Sequence, residues 1–115
     1  MSTQLRVIQW ATGITGKASL KSILRNPRLE LVGVKVYADE KNGCDAGELL
    51  SQEPTGVICT QDKKEVIELE ADCVIYSPMP WDVEEMCEIL ASGKHIVTPC
   101  PYWFPFTQDK ESAER

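Results

Sequence analysis

With 115 residues, the chain has room for one compact domain and is too short for two complete ones. Its content of 43% hydrophobic and 26% charged residues excludes a disordered chain, and no apolar run approaches the ~18 residues that cross a membrane. The net charge of −6, with scattered lysines and arginines, argues against a nucleic-acid partner. The polar first residues lack the layout of a secretory signal, so we expect a cytoplasmic protein.

Strand and helix patterns alternate along the chain as far as residue 98. Short apolar runs predict strands, and apolar residues three and four apart predict helices. The predicted strands are residues 5–10, 29–37, 56–60, 73–76 and 94–98, and the predicted helices are residues 14–25, 62–69 and 82–92. Residues 39–47 are predicted to form a polar loop that turns at Asn42-Gly43. This order predicts an α/β protein, a doubly wound parallel sheet of about five strands with helices on both faces.

The last predicted helix has the clearest pattern. Glu85 stands three residues after Asp82, as in a capping box, and Gly93 supplies a left-handed stop. The spacing of its apolar residues predicts an inward face made of Val83, Met86, Cys87 and Leu90.

A glycine-containing turn joins the first strand to the first helix. In the dinucleotide fingerprint G-x-G-x-x-G, the first glycine makes the turn, the second admits the diphosphate and the third lets helix and strand pack closely. Here alanine replaces the first glycine and the other two are present. We predict that a cofactor diphosphate binds at the helix N-terminus formed by these residues; the alternative is a purely structural turn. The predicted cradle is Ala11, Thr12, Gly13, Ile14, Thr15 and Gly16.

The end of the second strand is expected to face the adenosine of the cofactor. The strand ends in the uncharged Tyr37 and Ala38, and the first acid, Asp39, comes later. Lys41 and the Asn42 amide favour a 2′-phosphate, whereas Asp39 and Glu40 oppose it. The choice between NADP and NAD therefore stays open, with a slight lean to NADP or to use of both. The alternative is that residues 39–41 are only a solvated turn.

Two proline-containing segments follow the fourth and fifth strands, where ligands of open parallel sheets bind. We expect them to frame the nicotinamide end of the cofactor; the alternative is that the prolines only end the strands. The residues concerned are Ser77, Pro78, Met79, Thr98, Pro99 and Cys100.

No complete reaction centre is recognisable, so the catalytic residues stay unassigned. The five cysteines include no C-x-x-C pair and are expected to be mostly buried, reduced thiols. The one histidine, His95, is predicted to lie at the opposite end of the sheet from the cleft. No metal site is predicted.

Several segments together resemble a known family. They are RVIQWATGITGK, NPRLELVGVKVY, DAGEL, PTGV and ADCVIYSP, which span residues 6–78 within a likeness that covers about residues 5–105. With them the chain resembles the N-terminal domain of dihydrodipicolinate reductase-like proteins, and within that group the NAD(P)H-dependent amine dehydrogenases and 2,4-diaminopentanoate dehydrogenases. TPCP at residues 98–101 departs from the glycine-ended segment of the biosynthetic reductases, which disfavours a role in lysine biosynthesis.

The resemblance implies a Rossmann domain over residues 1–106, a polar end at residues 107–115, and a separate C-terminal domain that carries the substrate pocket and the catalytic groups. We therefore expect the cofactor-binding domain of an oxidoreductase that transfers a hydride to a C=N or C=O carbon of a small molecule. The chain alone is expected to be inactive. A non-catalytic nucleotide-sensing module is the alternative, and a structural domain without a ligand is a third hypothesis. The aromatic residues 102–106 are expected to cover the cleft, contact the further domain or mediate self-association.

Overall fold

Five parallel strands form one sheet in the computed structural model, which describes residues 4–78 and 82–98. They are β1 (Leu5–Trp10), β2 (Leu29–Lys35), β3 (Cys59–Thr60), β4 (Cys73–Tyr76) and β5 (His95–Val97). Their order, β3-β2-β1-β4-β5, places the first strand in the middle. The progression of strands therefore reverses between β1 and β4, which is where ligands of doubly wound sheets bind.

Four α-helices connect the strands: α1 (Ile14–Arg25), α2 (Ala46–Leu49), α3 (Lys63–Ile67) and α4 (Val83–Ala91). The helices α3 and α4 pack on a cluster centred on Ile8, Trp10 and Val74, and α1 and α2 pack on a second cluster centred on Val34 and Val36. Helices thus cover both faces, and the predicted Rossmann-like architecture is confirmed.

The boundaries of several elements differ from the predicted ones. The bounds of β1, α1 and β4 agree with the prediction, whereas β2 ends two residues earlier and β3 and β5 shrink to short pairings. Only Val34 and Lys35 of β2 pair with β3. Ile58, just before β3, instead forms an isolated antiparallel bridge with Asp45, so the β2 ladder does not extend to it.

The predicted inward face of α4 holds for Met86, which packs against the first cluster, and is wrong for its other three residues. Val83 is 71% exposed, Leu90 is 55% exposed and Cys87 is exposed, whereas Glu85 and Ile89 are buried. The helix is oriented so that the Glu85 carboxylate lies near the carboxyl ends of β2 and β4, where it accepts two tyrosine hydroxyls. The Asp82 side chain accepts the Glu85 amide (3.1 Å), as predicted, but the Glu85 side chain bonds tyrosine hydroxyls in place of completing a capping box.

The cysteines differ in part from expectation. Cys59 is buried, and burial raises the pKa of its thiol to about 11, which keeps it protonated and unreactive. Cys44 and Cys73 are half-buried and Cys87 is exposed; all four are free thiols. The prediction of a buried thiol is therefore wrong for Cys87. Among the described helices, none combines the length and the apolar character that crossing a membrane requires.

The segment predicted as a polar loop contains a 3-10 turn (Asp39–Lys41) and the short helix α2. The N-cap of α2 is Asp45, which forms a complete capping box with Glu48. Its carboxylate also accepts the Thr55 amide (2.7 Å), the Gly47 amide (2.7 Å) and the Gly56 amide (2.8 Å). These bonds lower the pKa of Asp45 to about 2, and the bond from the Thr55 amide has the largest effect. One side chain thus joins the DAGEL segment to the PTGV segment.

We expect Asp45→Asn to lower the stability of the chain at neutral pH, because an amide cannot accept all of these donors. The folded-state pKa lies below the ordinary value, so the stabilisation is present above pH ~4 and is lost as pH falls toward ~2. Urea unfolding at several pH values should show a difference between wild type and variant that shrinks in acid. A pH-independent difference would contradict this role. Glu48→Gln, which touches only one bond of the same box, is the matched control.

Candidate nucleotide-binding cleft

A cleft of about 620 Å³ opens at the carboxyl ends of β1, β2 and β4. It lies at the reversal of the strand order, the expected place for a ligand in this architecture. Nine predicted residues line it together with two that the sequence did not single out for this role, Asp82 and Glu85. The nine are Ala11, Thr12, Gly13, Thr15, Tyr37, Ala38, Lys41, Ser77 and Pro78.

The two glycines of the turn differ in what requires them. Gly13 has an extended backbone (φ −71°, ψ −162°) that any residue adopts, and an added Cβ would meet nothing within 4 Å. An added Cβ at Gly16 would collide with the carbonyl of Ala11. Gly16 is therefore required by helix–strand packing, whereas neither the backbone nor the packing of the chain requires Gly13. The second glycine leaves open the space that a diphosphate would fill.

Ala11 adopts the conformation of the glycine that it replaces. Its φ of +85° lies in the left-handed region, which costs a non-glycine residue free energy. Two hydrogen bonds hold it there: its amide donates to the Lys35 carbonyl (2.8 Å), and its carbonyl accepts the Gln9 side-chain amide (2.9 Å). The turn thus keeps the shape of the fingerprint although the first glycine is absent.

The N-terminus of α1 is free to bind an anion. Its N-cap is Gly13, no side chain caps it, and its first turn contains no acidic residue. The amides of a first helical turn have no partner within the helix, and the helix dipole favours negative charge there. By contrast, Asp45, Asp62 and Asp82 cap α2, α3 and α4 with their own carboxylates.

Lys41 brings a positive charge to this turn. Its Nζ donates to the carbonyl oxygen (2.9 Å) and the hydroxyl oxygen (3.1 Å) of Thr12, so the ammonium lies beside the turn that leads into α1. Asp39 lies elsewhere: its carboxylate accepts the Gln61 side-chain amide (2.8 Å), and it does not line the cleft. The cation of the 39–41 turn faces the cleft, and the first acid is held outside it.

A hydrogen-bonded cluster forms one wall of the cleft. The hydroxyls of Tyr37 (2.8 Å) and Tyr76 (2.7 Å) both donate to Glu85 Oε1, and the Trp10 indole N–H donates to the Tyr37 hydroxyl (2.8 Å). Burial first, and then the bond to Glu85, raise the pKa of both tyrosines, so both remain protonated donors. The wall therefore contains a buried carboxylate whose tyrosine partners are fixed.

Lys35, the last residue of β2, packs against the Tyr37 ring of this wall. It is buried, its Nζ donates to the Val36 carbonyl (3.1 Å), and the same atom lies 3.8 Å from the centroid of the Tyr37 ring. Burial lowers the pKa of Lys35, an effect that the nearby Glu85 carboxylate opposes. Neither Lys35 nor Glu85 was predicted to lie in the cleft, because charged residues in a strand or helix pattern are expected to face water.

Gln9 connects two segments of the cleft. Its buried side-chain amide bonds the Ala11 carbonyl and the Ser77 hydroxyl (3.2 Å), and thereby joins the glycine turn to the end of β4. The Ser77 amide also donates to the Trp10 carbonyl (3.0 Å). Both strand ends are held in place before any ligand binds.

The remaining predicted residues have other places. Gly16 is buried behind the turn, and Thr98 follows β5 without lining the cleft. Ile14 is the first residue of α1; Met79, Pro99 and Cys100 lie outside the described residues. His95 begins β5 and is exposed. Within residues 4–78 and 82–98, no group of three histidine, cysteine, aspartate or glutamate side chains is placed to hold a metal.

Comparison with known proteins agrees with this geometry. The family model "Dihydrodipicolinate reductase, N-terminus" matches residues 7–99. An amine dehydrogenase of Streptomyces virginiae is 30% identical over 85% of this chain and 29% of that protein. The chain therefore spans less than a third of the length of this relative.

Solved structures share the fold. An amine dehydrogenase from Mycobacterium smegmatis superposes with a TM-score of 0.74 at 23% identity, over 84% of this chain and 30% of that one. An NAD-binding protein from Listeria innocua gives a TM-score of 0.62 at 22% identity, over 84% and 26% of the two chains. Homoserine dehydrogenase of S. aureus gives 0.61 at 16% identity, over 85% and 26%.

Proposed function

Because the chain belongs to the family of dihydrodipicolinate reductase N-terminal domains, which are NAD(P)-binding domains of oxidoreductases, we propose that its complete protein transfers a hydride from NAD(P)H to a C=N or C=O carbon. The observation that carries the proposal is the open space at Gly13 beside the uncapped first-turn amides of α1, which is the place of the diphosphate in the dinucleotide fingerprint. Bound cofactor supplies the hydride; the chain supplies binding and orientation.

The proposed roles follow the cleft from one end to the other. Residues 12–16 hold the diphosphate with backbone amides, and residues 37–41 hold the adenosine end. Ser77 and Pro78, which line the cleft at the end of β4, are proposed to hold the nicotinamide end. The small-molecule substrate and the catalytic groups are proposed to belong to a further domain, since this chain spans only 29% of the length of the amine dehydrogenase relative.

Both NADH and NADPH are proposed ligands, with NADPH preferred. Lys41 faces the cleft beside Thr12, whereas Asp39, the acid that would repel a 2′-phosphate, is bonded to Gln61. The acidic side chains of Glu85 and Asp82 also line the cleft, so NADH, which lacks the 2′-phosphate, is proposed to bind as well.

We expect Lys41→Gln to weaken NADPH binding about tenfold, the usual effect of losing one charge-assisted hydrogen bond. NADH should lose less, because it lacks the 2′-phosphate. Calorimetric titration of both cofactors measures the two effects. Lys21→Gln, an exposed lysine on α1, is the control and should change neither affinity. An equal loss for both cofactors would place Lys41 at the diphosphate and contradict the proposed preference.

The proposed reaction is tested on the protein expressed from its natural reading frame. Small ketones are supplied with and without ammonia, and the absorbance of the reduced nicotinamide is followed. Ammonia-dependent oxidation of NAD(P)H supports reduction of a C=N carbon, and ammonia-independent oxidation supports a C=O substrate. Cofactor binding without turnover for any carbonyl substrate would favour the alternative, a nucleotide-sensing module.

A further inference from the structure

We infer that the ring of Tyr37 is the wall on which the adenine base of the cofactor stacks. The inference rests on the proposed function of the cleft and deepens it, because it assigns one side chain to the base. Tyr37 follows β2 and lines the cleft at the end proposed for adenosine. It is 49% exposed, although its hydroxyl is bonded to the buried Glu85.

The orientation of the ring is fixed. The Tyr37 hydroxyl donates to Glu85 Oε1 and accepts the Trp10 indole N–H, each at 2.8 Å. Both partners are buried, and Glu85 also receives the Tyr76 hydroxyl. A flat side chain anchored at its far end loses little conformational entropy when a base stacks on it, so the wall is preorganised for an aromatic ligand.

One face of the ring is already occupied. Lys35 Nζ lies 3.8 Å from the ring centroid and is buried. A cation on one face withdraws π-electron density, which reduces the repulsion between the ring and a base on the other face. Since Lys35 is buried and Tyr37 is half-exposed, the ring offers its other face to the cleft. An electron-rich base such as adenine suits that face.

The stacking wall is tested with two ligands that differ by the base. Calorimetry measures binding of ADP and of inorganic pyrophosphate to wild type, Tyr37→Phe and Tyr37→Leu, each shown to be folded by thermal melting. We expect Tyr37→Leu to weaken ADP about tenfold, in line with the loss of one base–aromatic stack, and to leave pyrophosphate unchanged. Tyr37→Phe, which keeps the ring but loses the anchoring hydroxyl, should weaken ADP less than Tyr37→Leu does.

Three results would overturn the inference while leaving the cofactor site intact. They are unchanged ADP binding in Tyr37→Leu, an equal loss of ADP and pyrophosphate, and an equal loss of ADP in the phenylalanine and leucine variants. A second measurement needs no variant: proton NMR of ADP bound to wild type should show an upfield shift of the base protons from the ring current, and its absence would also overturn the stack. Failure of wild type to bind either ligand overturns the proposed function as well.

Discussion

Gly13→Val is expected to abolish binding of both NADH and NADPH, by at least about a hundredfold, while the chain stays folded. Among the described residues, no neighbouring atom lies within 4 Å of a Cβ added at Gly13. The added side chain therefore enters an open space beside the first-turn amides of α1. In the dinucleotide fingerprint that space belongs to the diphosphate. Valine also adopts the extended backbone of Gly13 without strain, so the loss would come from the ligand.

The measurement is a calorimetric titration of wild type and variant, with thermal melting to show that both are folded. Ala18→Val is the matched control, because it adds the same two methyl groups to an exposed position of the same helix. We expect it to leave both affinities unchanged. Cofactor binding of undiminished strength in Gly13→Val would make the turn purely structural, the alternative that the sequence left open.

Gly16→Ala is expected to have the opposite phenotype, a loss of about 1–3 kcal/mol in the free energy of unfolding, as for other overpacked interiors. A Cβ at this position would collide with the backbone carbonyl of Ala11, which cannot move away as a flexible side chain could. That carbonyl is also fixed by the Gln9 amide. Elsewhere within a helix, glycine to alanine stabilises by about 0.5–1 kcal/mol, so the sign of the effect is diagnostic.

Urea unfolding measures this effect, with Gly13→Ser as the comparison. Serine is a favoured N-cap residue and Gly13 has open space around it, so that variant should be at least as stable as wild type. A Gly16→Ala variant more stable than wild type would show that helix and strand are not in close contact at the turn.

The sequence was sufficient for the elements whose patterns are local. A short apolar run predicts β1, and apolar residues three and four apart, followed by Asn26-Pro27, predict α1. Gly93, which follows α4, has the left-handed conformation (φ +94°) that was predicted for the end of that helix. The order of these elements was enough to predict the parallel sheet. It also placed the glycine turn at the strand-order reversal, where the cleft is found.

The inward face of α4 was not predictable from spacing, because two stripes compete on this helix. The stripe through Val83 and Leu90 has the more regular apolar spacing, yet the helix buries Glu85 and Ile89. What decides is the pair of tyrosine hydroxyls that Glu85 accepts, one of them 48 residues earlier in the chain. A helix pattern contains no information about donors from other strands.

The α2 segment shows the same limit at shorter range. Asp45 and Glu48 have the spacing of a capping box, a signal that could have revealed the helix. The bonds from Thr55 and Gly56 come from the far side of a loop, and only the fold brings them to Asp45. For the cleft, the glycine turn could be predicted, whereas the buried charges of Lys35 and Glu85 required the structure.

The most direct test of the central claim, that this cleft binds the nicotinamide cofactor, is a titration of the purified, folded chain with NADPH and then with NADH. We predict saturable binding of both at one site per chain, with NADPH the tighter ligand and each competed by ADP. Absence of saturable binding by either cofactor would contradict the claim that the glycine turn and the cleft form a cofactor site.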